Sequence, residues 1–284
     1  MKKKMSPSGR SPLLVLVCLV WLAPPVFADS PDERRELSQW MMNYYQKPTP
    51  EKFVQKVKQM SAAGVLHDSK PTARPDANVM FLGKVMAANS GQIPTWMAEL
   101  SSLPEVEYKT LKRAVWYAGT AEGLAWLRQN GEAELANGPR PLLLSGGRAL
   151  SLQPYHLDQL WEWFFATGDE EPVIRMVSLF NLAHSLPADN SLELLSPPKK
   201  SNDRASDRIR AYNYRLARPA LWSTTSLAIE QQRVLDILMR SREQQKNPMT
   251  RAWLGQVVKI AVTQRSKTTG SGNPSVGKKP SPDK

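Results

Sequence analysis

Residues 157–177 read LDQLWEWFFATGDEEPVIRMV, and this stretch shows the pattern on which the predicted fold is built. Its first half holds four aromatic residues within five positions. Its apolar side chains recur at the spacing of one helix face, namely Leu157, Leu160, Trp161 and Phe164. Gly168 then interrupts the pattern, and glycine favours the left-handed conformation found after the last turn of many helices. The stretch therefore predicts a helix that ends at Gly168.

A second helix is predicted directly after this glycine. Asp169 can cap it, and Glu170 and Glu171 stand in its first turn, where the helix dipole favours acids. Its apolar stripe consists of Val173, Met176, Val177 and Phe180. A catalytic pocket built around the three acids is the alternative, but each acid already has a structural explanation. We therefore interpret the stretch as the joint between two packed antiparallel helices.

The same helical period recurs along most of the chain. Helix starts are marked by cap residues, prolines and acids at 30–33, 49–51, 104–105 and 120–122. The pattern lapses at 131–154 and at 186–208, and nothing alternates long enough to predict a strand. We predict an all-α fold of about eleven helices in antiparallel pairs. No repeat of roughly 34 to 47 residues is evident, so an irregular solenoid and a compact bundle both stay open.

The two ends of the chain differ in composition from its body. Residues 1–10 carry four bases and no acid, and the apolar run at 13–22 is shorter than the roughly 20 residues that span a bilayer. Val26 and Ala28 then occupy the small-residue positions of a cleavage site. We expect a signal peptide cleaved after Ala28 and a periplasmic or secreted protein; an uncleaved anchor would need a longer apolar run.

The body divides at the second lapse. We expect a signal peptide at 1–28, an N-terminal helical region at 29–185, a linker at 186–208, a C-terminal helical cluster at 209–264 and a disordered basic tail at 265–284. Within the C-terminal cluster the predicted helices cover 208–217, 221–240 and 253–262.

The net charge of +12 is concentrated at the ends. The tail at 265–284 has five bases and one acid, and the body from Asp29 to Gln264 keeps only +4. The tail could contact an anionic membrane surface, but its bases are scattered, which favours a solvated end. Nucleic acid is not an expected partner, because no binding motif accompanies the charge and the protein is expected to be exported.

Metal and nucleophile motifs are missing from the sequence. Cys18, the single cysteine, lies in the expected signal peptide, so no thiol chemistry or disulfide is predicted. The three histidines, His67, His156 and His184, lack metal-ligand spacing and are expected at solvated loops or helix starts. Ser145 precedes two glycines, yet Leu143 stands where a nucleophile elbow needs glycine. We predict no metal and no cofactor.

Paired carboxylates are the remaining catalytic candidates. A helical hydrolase acting on glycan would need two acids across a cleft, and the candidates are Glu99, Glu105, Glu107, Glu122, Asp158 and Glu162. Asp158 and Glu162 share one helix face, but like charges at this spacing usually face solvent.

A stronger binding candidate is DRIRAYNYRLARPALW at 207–222. Tyrosine, tryptophan and arginine are enriched at protein interfaces. The candidate binding residues are Arg208, Arg210, Tyr212, Tyr214 and Arg215. The alternative is an amphipathic helix whose tyrosines pack inward while its arginines face water.

Two blocks of the chain resemble a known group of proteins. LDQLWEWFFATGDEEPVIRMV at 157–177 and ALWSTTSLAIEQQRVLDIL at 220–238 are similar to blocks of small, exported, uncharacterised helical proteins of Gram-negative bacteria. The blocks cover about forty of 284 residues, and their apolar positions look like core. The resemblance implies a periplasmic helical protein and transfers no catalytic residue.

These observations favour an exported helical protein that works by binding another envelope protein, as an adaptor or assembly factor. An envelope hydrolase with paired carboxylates and a secreted effector with a host target are the alternatives.

Overall fold

The computed structural model describes residues 31–66, 78–141, 143–144, 152–183 and 204–270. Within these ranges the chain forms twelve α-helices and no strand, so the predicted all-α class is confirmed. The expected signal peptide and the last fourteen residues of the expected tail lie outside the described residues.

Seven helices precede the joint. They are α1 (Pro31–Asn43), α2 (Phe53–Ala62), α3 (Val79–Ala88), α4 (Ile93–Glu99), α5 (Glu105–Ala118), α6 (Ala121–Gln129) and α7 (Ala133–Asn137). Short 3-10 turns lead into or out of three of them, at Tyr44–Gln46, Pro50–Lys52 and Ser90–Gln92. The predicted start at Thr120 is confirmed, since its hydroxyl accepts a hydrogen bond from the Gly123 amide at 3.1 Å.

Five helices follow. They are α8 (Pro154–Thr167), α9 (Glu170–Ser178), α10 (Arg204–Glu230), α11 (Gln232–Gln244) and α12 (Pro248–Gly270), with a 3-10 turn at Leu179–Leu182 after α9.

The apolar side chains form two cores. The N-terminal core draws on α1 to α7, and the C-terminal core draws on α8 to α12 and on Met80 of α3. Helix α8 lies between them, because Ala166 belongs to the N-terminal core and Phe165 packs against both. The C-terminal core therefore takes side chains from both sides of the predicted linker at 186–208.

The joint has the predicted backbone with one difference in its cap. Gly168 has φ +69°, and its amide donates to the Phe164 carbonyl at 2.7 Å. Asp169 stands at the cap position of α9, but its side chain makes no cap hydrogen bond. The carboxylate instead accepts from the Trp163 indole at 3.1 Å, so the predicted capping role is wrong.

Three predicted boundaries in the helical body also differ. We expected a break between 217 and 221. Instead, α10 runs through Pro219 and ends just before Gln231. The helix stays continuous because residues on both sides of Pro219 are buried together in the C-terminal core, namely Leu216, Ala217, Ala220 and Leu221. Residues 204–208, assigned to the linker, form the start of α10. The short α7 lies in the first lapse, where five residues are too few to show a helical period.

The end of the body also extends beyond the prediction. Helix α12 continues past Gln264 to Gly270, so residues 265–270 are helical and not part of a disordered tail. Arg265 anchors this turn by donating to the Ile229 carbonyl at 2.7 Å.

Helices α3 and α5 approach each other closely at Gly83. A side-chain carbon at Gly83 would lie 2.7 Å from the Cβ of Tyr117 and 2.8 Å from the Ala114 carbonyl oxygen. Only glycine permits this approach, which brings the α3 backbone onto α5. Among the helices that the structure describes, none has the length and apolar character to cross a membrane.

Candidate binding groove

A groove of about 480 Å³ lies between the start of α8 and the middle of α10. Its walls combine aromatic rings, a proline and two opposite charges, contributed by Tyr155, Asp158, Trp161, Arg215, Pro219 and Trp222. We call this site the α8–α10 groove. It brings together the joint stretch and the arginine- and tyrosine-rich stretch that the sequence singled out separately.

One face of α10 supplies the open side of the groove. Arg208, Arg215 and Trp222 are spaced seven residues apart, which places them on one side of a helix. Trp222 is 68% exposed and Ile209, one position from this row, is 62% exposed. A tryptophan so exposed at the mouth of a groove is typical of a surface that a partner covers, because tryptophan is among the residues that carry most binding energy.

Pro219 makes a polar backbone group available in the same groove. Proline has no amide hydrogen, so the carbonyl of Arg215, four residues earlier, has no donor at the helical position. Arg215 is also exposed, and its guanidinium makes no hydrogen bond or ion pair with a residue that the structure describes. The exposed Arg215 side chain thus offers donors at the groove.

The opposite wall is held in place by a hydrogen bond between the two helices. Trp161 is buried, and its indole donates to the Ser223 hydroxyl at 3.0 Å. Because Ser223 follows Trp222 directly, this bond fixes the separation of α8 and α10 where the exposed ring stands. The groove is therefore a preformed feature of the helix pair.

The structure places the five predicted binding residues in different environments. Tyr212 is half-buried against the C-terminal core and donates to the Leu152 carbonyl at 2.7 Å, and burial raises its pKa. Tyr214 also packs on that core and accepts from Arg218 at 2.8 Å. Both tyrosines have an inward-packing role. Arg208 is exposed on the groove face, and Arg215 lines the groove; Arg210 belongs to α10, and its side chain lies outside the described residues.

Sequence reasoning missed the α8 side of the groove. Tyr155, Asp158 and Trp161 stand at i, i+3 and i+6, but the sequence was interpreted there only as a core stripe and a possible carboxylate pair, not as a binding face. On the α10 side, the sequence did offer a signal in Pro219. A proline inside a helical pattern leaves one backbone carbonyl without its usual donor.

Glu162 does not face solvent, which corrects our expectation for the Asp158 and Glu162 pair. Its carboxylate accepts from three backbone amides at the start of α3, from Asn78 at 3.1 Å, Met80 at 3.2 Å and Phe81 at 3.3 Å. The first amides of a helix have no helical partner, and a carboxylate satisfies them well. Glu162 therefore joins α8 to α3, while Asp158 lies exposed one turn earlier in the groove.

The pKa of Glu162 is raised to about 7, because burial disfavours its charge more strongly than the three amides favour it. The nearby negative charge of Asp158 raises it further. Both carboxylate oxygens are already engaged with backbone, so this shift belongs to a structural link between the two cores.

The other candidate carboxylates lie on different elements. Glu105 pairs with Lys109 at 2.8 Å on the surface of α5, and Glu107 accepts a hydrogen bond from Ser61. Glu122 is exposed in the first turn of α6, and Glu99 closes α4.

The acids of the joint have structural partners. Glu170 pairs with Arg240 and Glu171 pairs with Arg175. The Lys84 ammonium lies 3.7 Å from the centre of the Trp163 ring, and burial lowers its pKa while Asp169 and Glu171 act in the opposite direction. These contacts agree with the prediction of a joint over that of a catalytic pocket.

His156 starts a helix as predicted but is buried, not solvated. Its Nδ1 accepts from the Gln153 amide at 2.8 Å, and burial lowers its pKa. His67, His184, Cys18 and the Ser145–Gly147 turn lie outside the described residues. In the described part of the chain, no three histidine, cysteine or acidic side chains are grouped to hold a metal.

Comparisons of the chain with models of protein families, with curated proteins and with solved structures found no match.

Proposed function

We propose that this protein is an exported adaptor or assembly factor that binds a segment of another envelope protein in the α8–α10 groove. The observation that carries the proposal is that the exposed ring of Trp222 and the exposed guanidinium of Arg215, which has no hydrogen bond or ion pair with a described residue, line the same preformed groove. Tryptophan and arginine are two of the three residue types most enriched in binding hot spots.

The groove chemistry defines the segment that it accepts. The rings of Tyr155 and Trp222 suit an aliphatic, aromatic or proline side chain of the partner. Arg215 suits a carboxylate near that anchor, because a guanidinium can donate two parallel hydrogen bonds to a carboxylate. The basic residues Arg208 and Arg218 on exposed positions of α10 favour a partner that is acidic around this contact.

The Arg215 carbonyl, which lacks its usual helical donor because of Pro219, can add a backbone contact. A partner segment in an extended conformation exposes its own amides, and one of them can donate to this oxygen. An extended segment therefore uses the groove more fully than a helix, whose amides are already bonded.

The number of carboxylates in the groove favours binding over hydrolysis. A glycosidase needs two carboxyl groups across the scissile bond. Asp158 is the single carboxylate among the described residues that line the groove, and Glu162 points to the start of α3. A secreted effector would use the same groove on a host protein, so the identity of the bound segment separates it from an adaptor.

A photo-crosslinking experiment tests the proposal. The full chain is expressed in its own cells with benzoylphenylalanine, an aromatic residue, at position 222. The matched control carries it at Val106, which is 49% exposed on α5. We expect one envelope protein to crosslink from position 222 and not from position 106, through a segment with an apolar anchor and an acid. Equal crosslinking from both positions would reject the groove as the binding site, and glycan as the captured partner would support the hydrolase.

A further inference from the structure

A second groove, of about 650 Å³, lies on the N-terminal part of the molecule between α1, α2 and the end of α4. Its floor is apolar and consists of Leu37, Val54 and Ala62. No residue of α8 or α10 lines it, so it is separate from the α8–α10 groove. We call it the acidic groove.

The rim of the acidic groove is strongly negative. Four carboxylates and one ammonium group line it, namely Glu33, Glu36, Glu51, Glu99 and Lys58. All five side chains are exposed. Because the chain as a whole has a net charge of +12, this concentration of acids runs against its overall charge.

The lining residues follow two helix faces that lie side by side. On α1 they are Glu33, Glu36 and Leu37, at i, i+3 and i+4. On α2 they are Val54, Lys58 and Ala62, each four residues from the next. The space between two adjacent helices can be filled by a third helix through ridge-into-groove packing.

We propose that the acidic groove binds a lysine- and arginine-rich amphipathic helix of another protein. The apolar face of that helix would cover Val54 and Ala62, and its flanking bases would pair with the glutamates of the rim. Helix-in-groove recognition works in this way, with apolar anchors at i, i+3, i+4 and i+7 setting the register. Charge complementarity selects a basic helix over an acidic or neutral one.

The basic end of this chain is a poorer fit for the same groove. Residues 271–284 contain three lysines, but Val276 is their single aliphatic side chain and three prolines interrupt them. Such a segment matches the charge of the rim and lacks a helical apolar face for the floor. We therefore assign the groove to a separate protein, and removal of 271–284 tests the assignment.

The test uses a fluorescent eighteen-residue peptide with leucine at i, i+3, i+4 and i+7 and lysine elsewhere. Its binding to the purified full-length protein is followed by fluorescence anisotropy. The test variant carries Glu36→Lys and Glu99→Lys. The matched control carries Glu122→Lys and Glu134→Lys, which changes the net charge equally at exposed positions on α6 and α7.

We expect the peptide to bind the protein and its control variant alike, and the test variant about tenfold more weakly. A peptide of equal composition with scrambled leucine positions should bind less well, since it has no apolar face. If both double variants weaken peptide binding equally, the attraction is a general charge effect and the proposal is overturned. Absence of peptide binding to the wild type would also overturn it. Binding that appears only after residues 271–284 are removed would assign the groove to this chain's own end. Trp222→Ala should leave peptide binding unchanged, so this result is independent of the α8–α10 groove.

Discussion

The ring of Tyr45 lies directly against Gly168, the residue that ends α8. A Cβ atom at Gly168 would stand 2.7 Å from Cδ2 of Tyr45, and the φ of +69° already disfavours any other residue there. The joint therefore depends on glycine for two separate reasons, its left-handed backbone and the close approach of the first folded segment.

Gly168→Ala should accordingly lower the free energy of unfolding by about 2 to 4 kcal/mol, of which the left-handed backbone accounts for about 1 and overpacking for the rest. Gly64→Ala is the matched control, because Gly64 has φ +63° and no atom within 4 Å of the added carbon. It should cost only about 1 kcal/mol. Urea denaturation of both variants measures the difference. Equal costs would show that the Tyr45 contact is not constraining.

The packing of α3 on α5 makes a second prediction. Gly83→Ala should destabilise the protein by about 1 to 3 kcal/mol, because the new carbon meets the α5 backbone, which cannot move like the tip of a side chain. Gly255→Ala in α12 meets only Arg242, at an ordinary 3.5 Å. It should be neutral or stabilising by up to about 1 kcal/mol, since alanine favours helix. A stabilising Gly83→Ala would mean that α3 and α5 are further apart than described.

Glu162 makes stability depend on pH. Its pKa rises from an ordinary 4.5 to about 7 on folding, so the folded state holds the proton more tightly than the unfolded state. The stabilisation from this group is complete below pH 4.5 and is lost as the pH rises through 7. Relative to Glu162→Gln, which cannot titrate, the wild type should lose up to about 3 kcal/mol between pH 5 and pH 8.

Urea denaturation of both proteins across this pH range measures that difference. Asp158→Asn supplies the control, because removal of a negative charge that raises the Glu162 pKa should move the same loss to lower pH. A constant difference between wild type and Glu162→Gln from pH 5 to pH 8 would contradict the shifted pKa.

A polar contact links the end of α1 to the turn between α10 and α11. The buried side chain of Gln231 accepts from Tyr45 at 3.1 Å and from Gln46 at 2.9 Å. Gln231→Ala should destabilise by about 1 to 3 kcal/mol, because it leaves both donors without this acceptor. Gln232→Ala should change stability little, since Gln232 is exposed and, among the described residues, its side chain bonds to Asp236 of its own helix. Thermal or urea unfolding measures the stability of both variants. Equal losses of stability would show that Gln231 does not stabilise the contact between these segments.

Local sequence signals predicted most helices and few of the contacts between them. The glycine at 168 and the cap at Thr120 act within one turn, so a period and a cap residue suffice to find them. The contacts of Glu162 are an example that local signals do not predict. Its spacing from Asp158 suggested solvent, whereas its partners are amides of α3 more than eighty residues away.

The sequence predicted the α10 side of the candidate groove but not the side formed by α8. The composition of 207–222 identified α10, but which of its residues face outward depends on packing. Tyr212 and Tyr214 turn to the core because Leu152 and Arg218 satisfy their hydroxyl groups. The break expected near Pro219 was wrong because the buried residues on both sides of it hold one helix together. The pairing of Trp222 with the α8 wall is a tertiary contact that no local period encodes.

The most direct test of the account is the affinity of the segment crosslinked from position 222, synthesised as a peptide, measured by calorimetry. We predict that Trp222→Ala weakens binding about thirtyfold or more, as expected for a central aromatic anchor. Arg215→Ala should weaken it and reduce its salt dependence, and Val106→Ala should leave it unchanged. Equal affinity of wild type and Trp222→Ala would contradict the assignment of the α8–α10 groove as the binding site.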